Sequence, residues 1–252
     1  MPVGVSRSEP ERCICSGQRS PPGEGHTSFA PTRAAYDRPV PYNSAPDLLI
    51  LHALRLMGMA EDKVVARRFG LDQDLVSESL LDHQAVGRVE RVGFADLGGW
   101  TLTALGHVEH QRLMADELTQ TGLRTQIASV HERFIELNGR FLTAVTNWQI
   151  RPLPGDPLAA NDHSDWRWDD RVLADLRSLL RRVHPLCSEL EAELARFRGY
   201  PERLAHALDM VDKGERAWID RPRGDSFHGA WFELHEDLLA TLAITRGQPE
   251  SF

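Results

Sequence analysis

Residues 60–106 read AEDKVVARRFGLDQDLVSESLLDHQAVGRVERVGFADLGGWTLTALG and carry the strongest structural signals in this chain. Together with the apolar stripe that starts at residue 48, they predict three short helices, a two-stranded hairpin and the start of a fourth helix. Gly70 suits a left-handed turn between two helices, because a side chain with a Cβ resists that conformation. Gly87 is expected to end the second helix of this pair. Thr103 is the predicted N-cap of the helix after the hairpin.

The hairpin follows from the spacing of apolar residues. Val89, Val92 and Phe94 are the apolar members of a strand over 88–94, residues 95–99 are predicted to turn, and residues 100–103 return. A helix–turn–helix followed by a β-ribbon is the winged-helix arrangement, which usually presents one helix to a DNA groove. We therefore expect a recognition helix at about residues 73–85.

Residues 46–120 resemble the winged-helix domain of small bacterial transcription regulators of the MarR kind. The resemblance is carried by Ala66, Gly70, Val76, Leu80, the AVGRV junction at 85–89 and the WTLTALG exit at 100–106. It covers under a third of the chain and implies DNA binding. The rest of the chain, with residues 228–239 near its end, resembles the C-terminal half of actinobacterial proteins usually labelled as regulators. That second resemblance implies no particular activity.

Composition indicates a protein of the reducing cytoplasm. The chain has 252 residues and 41% hydrophobic content, enough for one large or two modest cores. No apolar run reaches the roughly 18 residues needed to span a bilayer, so we predict no membrane association. The first residues lack the apolar core of a secretory signal. The three cysteines, Cys13, Cys15 and Cys187, are too few for a disulfide scaffold.

We predict three segments: a disordered 1–44, a winged helix over 45–122 and a helical bundle over 123–248. The first is rich in Pro, Gly, Ser and Arg and cannot bury enough surface to offset its ordering entropy. In the third, apolar residues recur at spacings of three and four, which is typical of a helix packed lengthwise within a bundle or across a dimer. This seam consists of Ile127, Val130, Phe134, Leu137, Phe141, Ala144 and Trp148.

Further helices are expected after a loop at 152–168, and Pro185 should kink or restart the first of them. The last helix should be capped by Asp225 or Ser226. The predicted fold class is therefore mainly α, with a winged helix–turn–helix domain followed by an antiparallel helical bundle.

The charge of the predicted winged helix opposes the function that its fold suggests. Residues 45–122 hold seven Lys and Arg against twelve Asp and Glu, a net charge of 7 − 12 = −5. Such a surface repels phosphates, whose neutralisation supplies most non-specific DNA affinity. The predicted recognition helix has no Lys or Arg, and its acids are Asp72, Asp74, Glu78 and Asp82.

Several side chains could still contact DNA. Four arginines could reach the phosphate backbone, unless they form ordinary surface ion pairs: Arg67, Arg68, Arg88 and Arg91. Three polar residues of the recognition helix could contact base edges: Gln73, Ser77 and His83. We take these seven residues as the candidate DNA-binding set.

The C-terminal half holds candidates for a metal or polar-ligand site. His228 and His235 are seven residues apart, which places them on one helix face with Glu236 alongside. The loop at 161–165 could bring His163 near them. The spacing is a weak signal, and the alternative is that these are bundle histidines bonded to a carboxylate or carbonyl. His131 and Asn138 are likewise expected to be satisfied polar groups. We predict no metal and no cofactor.

Trp148, Trp166 and Trp168 flank one loop, where they could line a pocket for a small aromatic or lipid-like effector or simply fill the core. We predict no enzymatic activity, because the sequence has no Gly-rich phosphate loop and no Gly-x-Ser-x-Gly turn. The carboxylates of the last helix are expected to face water: Glu233, Glu236 and Asp237.

The function that these patterns favour is a DNA-binding transcription regulator with a C-terminal dimerisation and effector domain. Its predicted partners are double-stranded DNA, a second copy of the chain and a small-molecule effector. One alternative is a winged helix that docks on a basic protein and does not bind DNA. Another is a metal- or metabolite-binding helical protein that uses the winged helix as a scaffold.

Overall fold

The structure, a computed structural model, describes residues 40–94, 97–221 and 224–244. It is mainly helical with one small two-stranded antiparallel sheet, which confirms the predicted fold class at this level. The predicted disorder of residues 1–44 lies almost wholly outside the described residues, as do Cys13 and Cys15. The elements are α1 (Pro46–Met57), α2 (Asp62–Phe69), α3 (Gln73–Ala85), β1 (Val89–Phe94), β2 (Leu97–Leu102), α4 (Ala104–Thr121), α5 (Arg124–Gln149), α6 (Trp166–Glu193), a 3-10 turn (Ala195–Phe197), α7 (Tyr200–Asp212), a second 3-10 turn (Arg216–Trp218) and α8 (Phe227–Leu242).

Helix α1 is buried on most of its surface and is contacted by α2, α3, α4, β2 and α8. Its apolar residues form one core with the buried faces of α2, α3 and the hairpin. A helix with apolar residues all round has no face to give to water, so other elements must surround it. The members of this core are Ile50, Leu51, Ala53, Leu54, Ala60, Val65, Ala66, Val76, Leu80, Val89, Trp100 and Leu102.

The connections around α3 form as the sequence predicts. Gly70 ends α2 in the left-handed region with φ 65°, and Gly87 follows α3 with φ 73°. Asp72 caps α3 by accepting hydrogen bonds from the backbone N–H groups of Asp74 and Leu75. Thr103 caps α4 through Gly106 N–H.

The hairpin is longer than predicted on its second strand. Strand β2 starts at Leu97, and Gly98 and Gly99 pair with β1 instead of lying in the turn. Position 99 requires glycine because the backbone of Ala60 packs closely against it: a Cβ there would lie 2.8 Å from the carbonyl oxygen of Ala60. Ala60 also exchanges backbone hydrogen bonds with Trp100, so the loop before α2 extends the sheet by one bridge.

The predicted seam of α5 is buried inside the chain, where α5 packs against α6 and α8. Of the two interpretations given above, the structure has the intramolecular core, and the seam is not available to a second copy. The same core takes in α7 and Phe197 of the first 3-10 turn, and the partly buried Trp218 of the second turn packs against it.

Helix α6 runs through Pro185 as one helix, so of the two predicted effects of this proline the restart of the helix is wrong. Proline removes the hydrogen bond to the carbonyl group four residues earlier. Both Pro185 and Arg181 are exposed, so water can satisfy that carbonyl, while the buried Val183 and Leu186 hold the helix on the core.

Within the described residues, no helix combines the length and the apolar character needed to cross a bilayer.

Two helical glycines should respond in opposite ways to alanine. At Gly106 a Cβ would collide with the carbonyl oxygen of Arg88, so Gly106→Ala should cost about 1–3 kcal/mol of unfolding free energy. At Gly139 on α5 a Cβ meets no atom within 4 Å, so Gly139→Ala should add about 0.5–1 kcal/mol. Urea unfolding followed by circular dichroism measures both. Equal effects of the two substitutions would contradict the close packing of α4 on the hairpin.

Candidate functional site

The outward side of α3 carries part of the predicted DNA-binding set. Gln73 is exposed at the start of the helix, and Arg67 is exposed at the end of α2. Ser77 is half-buried and donates to a carboxylate oxygen of Asp62 at 2.9 Å. Arg91 is exposed on β1, where its guanidinium lies 5.6 Å from the ring centre of Trp100. These four residues surround the N-terminal half of α3 and its hairpin.

The other three members of the set do not lie freely on this surface. Arg68 has only 11% of its side chain exposed, and its Nε lies 2.5 Å from a carboxylate oxygen of Glu233 on α8. His83 is buried on the inner side of α3. Burial lowers the pKa of His83, with a smaller contribution from Arg88. Arg88 is half-buried and lies 3.3 Å from Glu109 on α4.

The exposed face of α3 is acidic, as the sequence indicates, and it is also partly apolar. Asp74, Glu78 and Asp82 are exposed there, while Asp72 is held in the N-cap. Two leucines share the helix surface: Leu75 is 42% exposed and Leu81 is 58% exposed.

The four candidates for a metal site have separate roles. His163 Nδ1 lies 3.0 Å from Asp169 Oδ2, and Glu236 pairs with Arg55 at 3.0 Å. His228 lies edge-on to Phe141, and His235 packs on Phe134. The described part of the chain contains no group of three or more His, Cys, Asp or Glu residues that could hold a metal ion.

The three tryptophans around the loop do not converge on one pocket. Trp148 is in the core and packs on His163, with ring centres 4.5 Å apart. Trp168 donates its Nε1–H to the carbonyl oxygen of Asn147. Trp166 is 64% exposed beside Arg167.

Asn138 accepts a hydrogen bond from Trp231, which confirms the prediction that Asn138 is a satisfied polar group.

A different set of polar residues is concentrated where α1, α2 and α4 meet α7, α8 and the first 3-10 turn. Its centre is Asp237 of α8, which is fully buried. Asp237 accepts hydrogen bonds from His52 Nε2 at 3.0 Å and from the Tyr200 hydroxyl at 3.0 Å. It also accepts from Arg196 of the 3-10 turn and, at 3.3 Å, from the Thr241 hydroxyl. The polar junction comprises Asp237, these four donors and the neighbouring polar residues described next: His110, Glu117, Glu233, Glu236, Arg55, Arg68 and Arg203.

The junction extends through a pair of histidines. His52 Nδ1 lies 3.0 Å from His110 Nε2 of α4. When both imidazoles are neutral and His52 donates from Nε2 to Asp237, Nδ1 of His52 accepts from the Nε2–H of His110. Burial lowers the pKa of both rings and brings the pKa of His110 to about 2. Burial alone would raise the pKa of Asp237, but His52 and Arg196 lower it well below its usual range.

A second ion cluster lies beside the first. Glu233 of α8 accepts from Arg68 of α2 and, at 2.7 Å, from Arg203 of α7. Arg196 also donates to Glu117 of α4 at 3.2 Å. Together with the pair of Arg55 and Glu236, four arginines face four carboxylates. The charges of the junction therefore balance, as buried ions require.

The junction corrects one expectation from the sequence. Glu233, Glu236 and Asp237 are all buried and do not face water. The available signal was the composition of α8: its apolar residues cover nearly the whole circumference, and a helix of that kind is enclosed on all sides. Any carboxylate on it must then find cations within the protein. Three further members of the junction were not predicted from the sequence: His52, His110 and Arg196. His52 lies in an apolar stretch, whereas His110 and Arg196 lie among other charged and polar residues.

Removing the central charge should be far more damaging than removing a surface one. Asp237→Asn removes one of the two buried carboxylates that pair with Arg196, so the unfolding free energy should fall by about 3–5 kcal/mol. The exposed Asp170→Asn on α6 is the control and should change it by less than about 0.5 kcal/mol. Urea denaturation at neutral pH measures both, and a loss below about 1 kcal/mol for Asp237→Asn would contradict the junction.

The histidine pair should make the fold sensitive to mild acid. In the unfolded chain His110 binds a proton when the pH falls below its ordinary pKa of 6.5. In the folded protein burial lowers the pKa of His110 to about 2, so the ring stays neutral in mild acid. Stability from this residue is therefore complete above pH 6.5 and falls as the pH drops. Between pH 7.5 and 5.5 the loss should be about 1.4 kcal/mol for His110 alone.

The substitution His110→Gln tests this assignment, because glutamine can still donate to His52 but does not titrate. It should reduce the difference in unfolding free energy between pH 7.5 and 5.5 by about 1 kcal/mol. His184→Gln, at an exposed position on α6, is the control for loss of a histidine. An unchanged difference in the His110 variant would show that His110 is protonated in the folded state.

The chain matches no protein-family model, no curated protein and no solved structure.

Proposed function

We propose that the protein is a DNA-binding transcription regulator in which α2, the turn at Gly70, α3 and the hairpin act as a winged helix. The observation that carries this proposal is the position of α3. Its inner side packs through Val76 and Leu80, while its outer side, beginning at Gln73, is exposed beside the hairpin. A helix held in this way by a turn and a β-ribbon can enter the major groove.

Cations near the start of α3 support the proposal. A surface depression is lined by Gln73, Lys63 and Arg91 together with Asp62, Glu61 and Gly98. Arg91 is therefore close to the end of α3 that would approach base edges. Arg67, exposed at the end of α2, can reach the backbone on another side.

The acids of α3 make the proposed binding selective instead of strong. Asp74, Glu78 and Asp82 repel phosphates, but a carboxylate in the groove accepts a hydrogen bond from the amino group of cytosine. We therefore expect weak non-specific affinity and a shallow dependence on salt.

Assembly of two copies belongs to the same proposal, since paired winged helices read the two halves of a palindromic site. The seam of α5 is used inside the chain, so another surface is needed. Ile135 and Leu142 are seven residues apart on α5 and are 42% and 55% exposed. They offer an apolar stripe to a second copy, and sedimentation velocity measures whether a dimer forms.

The test compares wild type with Arg67→Glu/Arg91→Glu in pull-down of fragmented genomic DNA, followed by a salt titration on a recovered fragment. Each lost phosphate contact lowers the salt slope by about 0.9, so the double variant should lose about two units of slope for each bound copy, about four for a dimer, and at least roughly tenfold in affinity. Arg140→Glu, an exposed arginine on α5, is the matched charge control. Arg68 is not used because its loss would leave Glu233 short of a cation.

Recovery of no DNA by wild type at low salt would overturn the proposal. So would equal affinity of the wild type and the Arg67/Arg91 variant.

A second candidate is docking on a basic protein, which the acidic and apolar character of the α3 surface favours. Leu75 and Leu81 would supply apolar contacts, and the neighbouring carboxylates would supply charge complementarity. Glu78→Lys/Asp82→Lys separates the two candidates within the same pull-down. Those added cations should raise non-specific DNA recovery if α3 faces DNA, and leave recovery unchanged if α3 is directed to a protein.

A further inference from the structure

A cavity of about 330 Å³ lies against the polar junction. Its walls come from three separate parts of the chain: the residues before and within α1, the end of α2, and the 3-10 turn after α6. The lining residues are Asn43, Ser44, Leu49, Arg68, Phe69, Gly70, Ala195, Arg196 and Arg198. We call it the junction cavity.

The wall of the junction cavity is cationic. Three arginines line it, Arg68, Arg196 and Arg198, and the described lining residues include no Asp or Glu. Their carboxylate partners lie outside the lining, at Glu233, Asp237, Glu117 and Glu191. Arg196 is fully buried, and its three nitrogens already donate to Glu117, Asp237 and Thr241. The arginines of the lining with N–H groups left for a ligand are therefore Arg68 and Arg198, since each guanidinium has five donors.

Two buried donors at the cavity have no hydrogen-bond partner among the described residues. One is Nη2 of Arg68, and the other is the hydroxyl of Ser44, a residue with 8% exposure. A buried polar group without a partner costs about 1–3 kcal/mol, so native proteins rarely keep one without a reason. Both residues line the cavity, so an acceptor bound there would satisfy both atoms after a small shift of the two side chains.

The donors come from several sides, which selects the geometry of the ligand. A carboxylate is planar and has two oxygens, whereas Ser44, Arg68 and Arg198 on three chain segments can surround a tetrahedral group. Arginine forks match phosphate oxygens well. The volume exceeds that of one phosphoryl group, and the ring of Phe69 and the side chain of Leu49 provide an apolar wall for a small organic body.

We propose that the junction cavity binds the phosphoryl group of a small phosphate ester. Ser44 and Arg68 Nη2 donate to its oxygens, Arg198 supplies positive charge, and Phe69 contacts the organic part. The bound ligand joins the end of α2 to the 3-10 turn. Binding at this cavity does not depend on DNA binding, so the two can fail separately.

Isothermal titration calorimetry on the full chain tests this with three probes: inorganic phosphate, phenyl phosphate and benzoate. Phenyl phosphate and benzoate share a ring and differ in the anionic group, so they isolate the phosphoryl contribution. We expect one saturable site, with phenyl phosphate binding more tightly than inorganic phosphate and at least roughly tenfold more tightly than benzoate.

Two variants locate the site. Ser44→Ala and Arg68→Lys each remove one unpartnered donor, and Arg68→Lys keeps the charge that Glu233 needs. Each should weaken phenyl phosphate binding roughly tenfold. Ser44→Ala also removes an unsatisfied buried hydroxyl, so its unliganded melting temperature should be equal to or higher than that of wild type. Ser129→Ala, on the exposed side of α5, is the control and should bind as wild type does.

Three results would overturn the proposal. The first is no binding of either phosphate probe at about 10 mM, well above a millimolar dissociation constant. The second is unchanged binding in both variants, which would place the anion elsewhere. The third is benzoate binding as tightly as phenyl phosphate, which would exclude a site built for a phosphoryl group.

Discussion

A single buried carboxylate holds together parts of the chain that are distant in sequence. Asp237 receives donors from α1, the 3-10 turn, α7 and its own helix. A buried charge is costly unless it is paired and hydrogen-bonded, so the position of each donor is tightly constrained. The two apolar cores, one around α1 and one around α5, meet at this point.

The buried hydrogen bonds around Asp237 constrain the packing of the helices in a way that apolar contacts do not. Apolar surfaces can slide past each other at small cost, because the hydrophobic effect has no direction. The hydrogen bonds of His52 and Arg196 require particular atoms at particular distances, so they fix how α8 lies against α1 and α4. In this protein the junction also forms one side of the cationic cavity, because Arg68 and Arg196 belong to both.

Local features of the fold could be predicted from the sequence, whereas the junction could not. Gly70, Gly87, Thr103 and the seam of α5 depend on backbone conformation or on spacing within one helix, and these leave a direct trace in the sequence. The path of α6 through Pro185 depends on the exposure of Pro185 and Arg181 to water. The start of β2 depends on the neighbouring Ala60, which approaches Gly99 and bonds to Trp100. Sequence patterns do not report such neighbours.

The candidate sites show the same division. Gln73 and Arg67 are exposed, as expected from a helix–turn–helix, because their positions follow from the local pattern. Arg68 is the next residue after Arg67, yet it turns inward to Glu233, 165 residues later. An arginine in a short amphipathic helix gives no indication of such a distant partner. Only the all-round apolar character of α8 signals that its carboxylates need cations.

The separation of His52 from Asp237, 185 residues, has a consequence for synthesis of the protein. A ribosome adds about 5–20 residues per second, so about 10–40 s pass between the emergence of the imidazole and that of its carboxylate. During that interval the nascent N-terminal helices cannot complete their buried hydrogen bonds. They remain a target for chaperones and proteases until α8 leaves the exit tunnel and the polypeptide can close.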